Sequence, residues 1–343
     1  MAQLPDFFGL DLGHNSFKMI DLKLKNNKAE LENLHVAKAQ ELDWNNMDAS
    51  TIKKVSEILS SEIKKSKIKA KNCVLSLPES SVFSRLIRLP KVKDDEVSES
   101  IQWAIKPLIP VDINDVNISF LEIDTVNEDK QEFINWYVVA APKKLVEKIV
   151  DTIEGAGLRL LAIETEALAI TRSVYFNHSP KSDVIIIDFG AKSTNVILSR
   201  NGVVMFAQTI NTGSDDLTKV IASDYGIDIE IAEKYKNSFG IDKTLGEGKI
   251  ASSIEPVMNV MISEISRALT YFRERISDKP ANEIYLTGGG ASLPGLESYV
   301  TSKIGLQAKL VNPFLNIDLK NKKLENMNIN SFSVAVGLAL KTS

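Results

Sequence analysis

Asp11-Leu-Gly13-His14-Asn15-Ser16-Phe-Lys18-Met-Ile20 and Asp188-Phe-Gly190-Ala191-Lys192-Ser193-Thr-Asn-Val-Ile197 are the two stretches on which the fold turns. Each closes an apolar run on an aspartate, passes through a D-x-G-x-x-S turn and enters a second strand-like stretch. One such hairpin is an ordinary strand ending. Its recurrence in both halves of a 343-residue chain points to internal duplication, and so to two related α/β lobes facing each other across a cleft.

The chemistry of the pair is specific. Glycine lets the backbone turn tightly and approach a ligand, with N–H groups free to face phosphate oxygens. An aspartate repels phosphate directly, but it holds a hydrated Mg²⁺ that bridges to phosphate. Two facing hairpins can thus grip a di- or triphosphate from both sides. Asp11 and Asp188 are the expected Mg²⁺ carboxylates, acting through water. Gly13, His14, Asn15 and Ser16 form one cradle, Gly190, Ala191, Lys192 and Ser193 the other, and Lys18 supplies compensating positive charge. A third site, Leu286-Thr-Gly288-Gly289-Gly290-Ala-Ser-Leu-Pro294-Gly295, reads as strand, turn and helix, and its bare backbone suits the flat face of a nucleobase.

Outward from these hairpins, the pattern predicts a strand over Glu30–Lys38, a helix capped by Ser50 and running to about Lys67, and a buried strand at Asn72–Leu77. The rhythm then tightens: strand Val82–Leu89, helix Asp94–Lys106, strands Val116–Ile123 and Phe133–Ala141 around a turn-prone Asn127–Lys130, helix Pro142–Ala156. This reads as a small α+β module inserted into a larger body. In the second half, Asn201-Gly202 predicts a tight hairpin turn. Helices are expected at Asp215–Asp224, at Ile229–Asn237 and from about Pro256 to Arg275, with another opened by Pro294 and an apolar one at Phe332–Leu340.

Other function classes find no support. Lys and Arg number 41 against 45 for Asp and Glu, which leaves no nucleic-acid footprint. Three histidines and one cysteine are poor material for a zinc site, and Cys73 alone forms no internal disulfide and fits a reducing compartment. No G-x-x-x-x-G-K-[ST] loop occurs, and Gly155-Ala-Gly157 follows a helical stretch, where glycine terminates. Neither a basic-then-apolar leader nor an apolar run of about 18–20 residues is present. A cytoplasmic location is expected, with no direct membrane insertion and attachment through a partner.

The order of hairpin, second hairpin and T-G-G-G resembles the actin, heat-shock-chaperone and sugar-kinase superfamily, which implies a two-lobed actin-like fold of duplicated ribonuclease-H-like domains. Ile163-Glu-Thr-Glu166-Ala-Leu-Ala resembles its connecting helix, which implies a place for Glu166 beside an attacking water. Ala232-Glu233-Lys-Tyr-Lys236 resembles the A-E-x-x-K helix, which implies that Glu233 and Lys236 reach ribose and adenine from one helix face. Gly213-Ser214 stands where a glycine pair is usual beside the nucleotide, and His14 where a small residue is usual.

The position of the insert resembles subdomain 1C of FtsA. Its motifs, Ser84-Arg-Leu-Ile-Arg-Leu-Pro90, Ile101-Gln-Trp-Ala-Ile-Lys-Pro-Leu-Ile-Pro110, Ala140-Ala-Pro-Lys and Ala156-Gly-Leu158, resemble the PilM family of type IV pilus assembly proteins, as does the ending Phe332-Ser-Val-Ala-Val-Gly-Leu-Ala-Leu340. The resemblance implies a first lobe over residues 1–81, an inserted α+β subdomain over 82–157 and a connecting helix within 158–180. A second lobe over 181–327 and a helix in 328–343 returning to the first lobe complete it. It further implies an ATP- and Mg²⁺-binding scaffold with slow or no hydrolysis, peripheral at the inner face of the cytoplasmic membrane. Such a scaffold holds the cytoplasmic N-terminal peptide of the membrane protein PilN and links the inner-membrane complex to other pilus components and the motor. Two alternatives stand beside it. FtsA-like division proteins carry a C-terminal membrane-binding helix, for which this sequence shows no counterpart before Ser343. A true ATPase or sugar kinase needs a catalytic base and a substrate pocket that the sequence does not place.

Overall fold

The computed structural model describes residues 4–342 apart from 26–27, 40–43, 45, 129–130, 276–280, 321, 323 and 326, so the end of the turn-prone Asn127–Lys130 stretch lies outside the described residues. The first lobe opens with β1 (Phe7–Leu12), β2 (Ser16–Lys25), β3 (Lys28–Lys38), α1 (Ala49–Ser66) and β4 (Asn72–Leu77). The inserted module follows: β5 (Phe83–Pro90), α2 (Val97–Ile105), β6 (Val116–Glu128) and β7 (Gln131–Pro142). The chain returns through α3 (Lys143–Gly155), β8 (Arg159–Thr165) and α4 (Glu166–His178). The second lobe comprises β9 (Val184–Phe189), β10 (Thr194–Arg200), β11 (Val203–Ile210), α5 (Ser214–Tyr225), α6 (Ile229–Phe239), α7 (Lys249–Arg275), β12 (Glu283–Thr287), α8 (Leu296–Ile304) and β13 (Gln307–Leu310). Finally β14 (Ile317–Asp318) and α9 (Ser333–Ala339) rejoin the first lobe.

The duplication is visible in strand order. The first sheet runs β14-β3-β2-β1-β4-β8 and the second β11-β10-β9-β12-β13, so five strands correspond one for one. In each, an antiparallel meander is followed by two strands parallel to the first. Parallel strands buried on both faces need continuous apolar runs, as Val184–Ile187 provides with all four residues essentially inaccessible. The hairpin between β10 and β11 turns on Asn201 and Gly202, both with positive φ (51° and 82°), the conformation that a two-residue turn demands and that this residue pair tolerates.

The third sheet, β5-β7-β6, is antiparallel and belongs to the inserted module. Its core joins Ile87, Val138 and Ala140 of the sheet to Val97, Ile101 and Ile105 of α2. Helix α3 sits elsewhere. Its Leu145, Ile149 and Ile153 pack into the first-lobe core with Val55, Leu59 and Ile63 of α1. Ser56 Oγ donates to the Thr152 carbonyl at 3.0 Å, and a Cβ at Gly155 would lie 2.8 Å from that same Oγ. The self-contained part of the insert is therefore strands β5–β7 with α2, while α3 packs as a first-lobe helix.

Several local expectations shift. Asp48, not Ser50, caps α1: its carboxylate accepts from the Thr51 N–H at 2.8 Å, and the Ser50 hydroxyl donates to the same oxygen. Helix α7 begins at Lys249 and runs through Pro256, because apolar packing of Ile250, Ala251 and Ile254 extends the buried stripe upstream of the proline. Pro294 precedes α8 by two residues, with Gly295 at φ 81° between them. Ile163–Thr165 is the end of β8, and the connecting helix starts only at Glu166, capped by the Thr165 hydroxyl.

Helix α9 is buried along its whole length. It fits between β1 and α4 because glycine stands at both contacts: a Cβ at Gly9 would meet the Ala335 carbonyl oxygen at 2.3 Å, and one at Gly337 the Ala169 carbonyl oxygen at 1.8 Å. Arg172 of α4 fastens the contact, binding the Glu164 carboxylate through two nitrogens (2.6 and 2.8 Å) and the Gly337 carbonyl at 2.6 Å.

Candidate functional site

A cleft of about 670 Å³ lies between the lobes. The first hairpin brings Asp11, Gly13, His14, Asn15, Ser16 and Lys18 to its wall. The second brings Asp188, Gly190, Ala191, Lys192, Ser193 and also Asn195. Gly288, Gly289, Gly290, Glu233 and Glu166 complete the predicted lining. Residues from five separate parts of the sequence thus meet in one cavity.

The hairpins are built alike. In the first, Asp11 stands opposite Lys18 in register, and the Lys18 ammonium lies 3.0 Å from Oδ2 of Asp11. In the second, Asp188 stands opposite Asn195, whose amide donates to Asp188 Oδ2 at 3.3 Å. Lys18 and Asn195 are equivalent positions with different charge, so one aspartate is neutralised and the other is not. Gly13 and Gly190 are there for proximity and not for positive φ. A Cβ at either would press on the carbonyl oxygen of Ser16 or Ser193 at 3.1 and 2.9 Å, and the Gly190 N–H donates to the Ser193 carbonyl at 2.9 Å.

The electrostatics follow. Burial, then the charge of Asp11, lifts the Asp188 carboxyl from 3.8 to about 6. Burial, then Asp188 and Asp11, pushes Glu166 well above the ordinary carboxylate range. Asn195 also donates to Glu166 Oε2 at 3.1 Å, linking the two acids through one amide. Asp11, Asp188 and Glu166 converge on one floor, where the Lys18 ammonium pairs with Asp11 alone, and a divalent cation suits the remaining acid character. Among the described residues no cluster of three or more His, Cys, Asp or Glu stands in metal-ligating arrangement. Two carboxylates nevertheless fit Mg²⁺, which keeps several waters and takes its remaining ligands from phosphate.

The glycine turn after β12 sits on this floor. Gly288 has φ 90°, and a Cβ there would lie 2.6 Å from Asp188 Oδ1, so the turn reaches the aspartate only as glycine. Around Gly289 there is open space, leaving a flat face of backbone toward the cleft.

Two predicted residues do not line the cavity. Lys236 is buried inside the second lobe, its ammonium bonded to Glu233 Oε2 (2.6 Å), Ser214 Oγ (2.7 Å), Thr218 Oγ1 (2.8 Å) and the Ser214 carbonyl (3.2 Å). It holds Glu233 in place: burial acts to raise that carboxyl, but hydrogen bonds from Lys236 and Thr218 outweigh it and keep the pKa low. Gly213 lies behind the second hairpin, where a Cβ would meet the Ala191 carbonyl at 2.3 Å. From there the next two residues tie the hairpin down, the Ser214 and Asp215 N–H groups donating to the carbonyls of Gly190 and Ala191 at 2.9 Å each.

Ser214, from the Gly213-Ser214 pair, lines the cleft; Trp44, Pro78, Ser80, Ser81 and Asp215 do so without having been anticipated, as do Ser331 just before α9 and Val334 within it. Asn195 was within reach of sequence reasoning, since the duplication aligns it with Lys18. Ser331 and Val334 were not: they arrive because the Asn330 carbonyl accepts from the Gly288 N–H (3.1 Å) and the Thr287 hydroxyl (3.0 Å).

The chain matches the family model described as type IV pilus assembly protein PilM over residues 9–343. Its fold is similar to that of a chain in the PilM-PilN type IV pilus biogenesis complex, with TM-score 0.84 and 25% identity over 98% of each chain. MreB5 of Spiroplasma citri bound to ADP is similar in fold alone, at TM-score 0.53 and 14% identity over 96% of this chain and 94% of that one. Among curated relatives, the cell division protein FtsA of Streptococcus pneumoniae serotype 2 (strain D39 / NCTC 7466) is 26% identical over 193 residues, covering 50% of this chain and 41% of that protein. The chain spans about half or less of the length of the first curated relatives it matches. The fold is thus the mixed α/β, actin-like one.

Proposed function

The chain belongs to the type IV pilus assembly protein PilM family, and from that premise we propose that it is a nucleotide-dependent scaffold of a pilus machine. Its cleft binds Mg-ATP, and its inserted module holds the N-terminal cytoplasmic peptide of a PilN-like membrane protein. The observation that carries the nucleotide half is the pair of equivalent hairpins bringing Asp11 and Asp188 to one cavity. Asp11 and Asp188 hold the metal's water shell; the Gly13–Ser16 and Gly190–Ser193 loops take phosphate; Glu233 and the Gly288–Gly290 turn face the nucleoside. The bound Mg²⁺ supplies charge neutralisation between phosphates and acids.

Turnover in this arrangement is slow. Glu166 is the acid placed to orient water, yet burial first and the two neighbouring aspartates next push its carboxyl well above the ordinary range, and Oε2 already accepts from the Asn195 amide and the Glu79 N–H. An acid whose charged form is disfavoured and whose oxygen already accepts two hydrogen bonds is poorly set to take a proton from water. Nucleotide therefore serves to set lobe closure, and thereby partner affinity, as differential binding to two states requires.

No described helix is long and apolar enough to cross a membrane, which suits attachment to the inner membrane through a partner. The module is the surface for it. Strand β6 is an edge strand of 13 residues, and Phe120, Leu121, Trp103, Leu108 and Val111 are exposed apolar side chains of the same module. An extended peptide can pair with such an edge and seat its side chains among them.

Titrating a fluorescent ATP analogue with and without Mg²⁺ tests the first half; Asp188→Ala is expected to weaken binding more than about tenfold, ~1.4 kcal/mol. Absence of Mg-dependent binding below millimolar nucleotide ends the nucleotide reading. For the second half, residues 83–141 are replaced by a short Gly/Ser bridge, sparing α3, and affinity for a synthetic PilN N-terminal peptide is measured. Undiminished peptide binding in a deletion that still takes ATP places the groove elsewhere.

A further inference from the structure

The route from the first lobe into the inserted module passes over the floor of the cleft. After β4, the short turn Pro78–Ser81 contributes Pro78, Ser80 and Ser81 to the cleft lining, and two residues later β5 begins. Between those cleft residues Glu79 turns the other way and is buried. Of its three polar groups, two reach the start of α4 and one reaches the module. The backbone N–H donates to Glu166 Oε2 at 3.3 Å, in the cleft. Side-chain Oε2 accepts from the Ala167 N–H at 3.4 Å, at the start of the connecting helix α4. Side-chain Oε1 accepts from Ser84 Oγ at 2.9 Å, on β5 of the module. Tyr137 of β7 lies close enough for the Glu79 charge to act on its phenol, which burial already pushes upward.

We propose that Glu79 is a positioning residue that couples the inserted module to Glu166, so that nucleotide in the cleft and the setting of strand β5 bias each other. This rests on the reading of the cleft as a nucleotide site. A buried carboxylate tolerates the loss of a donor poorly, so its two oxygens do not move independently. If β5 shifts, Ser84 leaves Oε1 and the carboxylate must turn. The Ala167 N–H then loses its acceptor, and the start of α4, with Glu166 as its first residue, moves with it. The same chain of contacts runs in reverse when nucleotide draws Glu166. The module also has somewhere to move. It meets the second lobe along β5 and β11, and beside that contact a cavity of about 380 Å³ is lined by Ser84, Tyr137, Phe206 and Ala207. The module therefore touches both lobes, and closure of one on the other passes through it. Coupling of this kind is reciprocal by linkage, so a partner that resets β5 changes nucleotide affinity by the factor by which nucleotide changes its own.

The test is hydrogen exchange on the full chain, with and without saturating Mg-ATP, in the wild type, Ser84→Ala and Glu79→Gln. The wild type is expected to show slower exchange on nucleotide addition in Ser84–Arg88 and Asn135–Val139 by about fivefold or more, the lower end of ordinary coupling. Ser84→Ala, which does not touch the cleft, is expected to bind ATP within roughly twofold of wild type while its module response falls below about twofold. Glu79→Gln, which keeps the volume and one acceptor, is expected to fold, as read by unchanged exchange in α7, and to lose the module response too. Binding of ATP with no response in the wild-type module overturns the coupling and leaves the nucleotide reading standing. A full response in both variants overturns the role of Glu79. Failure of the wild type to bind ATP at all overturns both readings.

Discussion

Replacing Asp188 with Asn is expected to make the nucleotide-free protein more stable while abolishing its Mg-dependent binding of nucleotide. Burial first, and the Asp11 charge second, lift this carboxyl from 3.8 to about 6. Since the folded value exceeds the unfolded one, the native state binds the proton more tightly. The resulting cost is absent below about pH 4, grows as pH rises through the gap, and is complete above about pH 7. A gap of about two pH units corresponds to ~3 kcal/mol, and water in the open cleft reduces the expected effect to about 1–3 kcal/mol. Asparagine keeps the shape and can still accept from the Asn195 amide, now 3.3 Å away, but carries no charge. With an unfolding entropy near 2.1 cal/mol/K per residue, a chain of this length gains roughly 1–4 °C in Tm near pH 8 and nothing near pH 4. Thermal and urea denaturation of both proteins at the two pH values read this directly. A variant no more stable than wild type near pH 8, or equally stabilised near pH 4, refutes the picture of a buried Asp188 charge facing the like charge of Asp11.

Gly337→Ala places a methyl 1.8 Å from the Ala169 carbonyl oxygen, where only backbone can yield, and is expected to cost at least about 2–3 kcal/mol in urea unfolding. Lys236→Met removes the ammonium that four oxygens share and leaves the Glu233 carboxylate without its counter-charge; a loss of about 3 kcal/mol is expected in the same assay. Phosphate release from Mg-ATP is expected below roughly 1 s⁻¹, and a faster steady rate abolished by Glu166→Gln favours a true ATPase.

The hairpins, the glycine turn and the duplication were legible because each is local: a strand, an aspartate, a glycine and a second strand within ten residues carry their own geometry. Asp188 and Asp11 could be placed in one cleft from that pattern alone. Lys236 misled for a physical reason. A helix face at spacing three says that Lys236 and Glu233 lie together, but not whether the face looks outward, and here Ser214 and Thr218 of α5 cover it. Glu79 carried no signal at all. Its role depends on Ala167 and Ser84 arriving from two other elements, and nothing in Leu-Pro-Glu-Ser-Ser distinguishes a buried acid from a solvated turn. The boundary of the insert was blurred likewise. An amphipathic helix after β7 fits either body, and only its contact with α1 assigns it.

The glycine-lined seat of α9 bears on how the protein is made. Strands β1 to β4 are synthesised first, yet the face they turn to Ala335, Val336 and Ala339 remains uncovered until the last helix arrives. Between Leu77 and Ser333 lie roughly 256 residues, on the order of 13–50 s of synthesis at about 5–20 residues per second. During that interval the nascent first lobe presents Ile20 and Leu31, both inaccessible in the finished fold, as open apolar surface. The second lobe, whose strands and helices are contiguous from Val184 to Leu310, has no such wait and can close on its own. The core of the second lobe can therefore be complete before that of the first, whose seat for α9 stays open until that helix has been made.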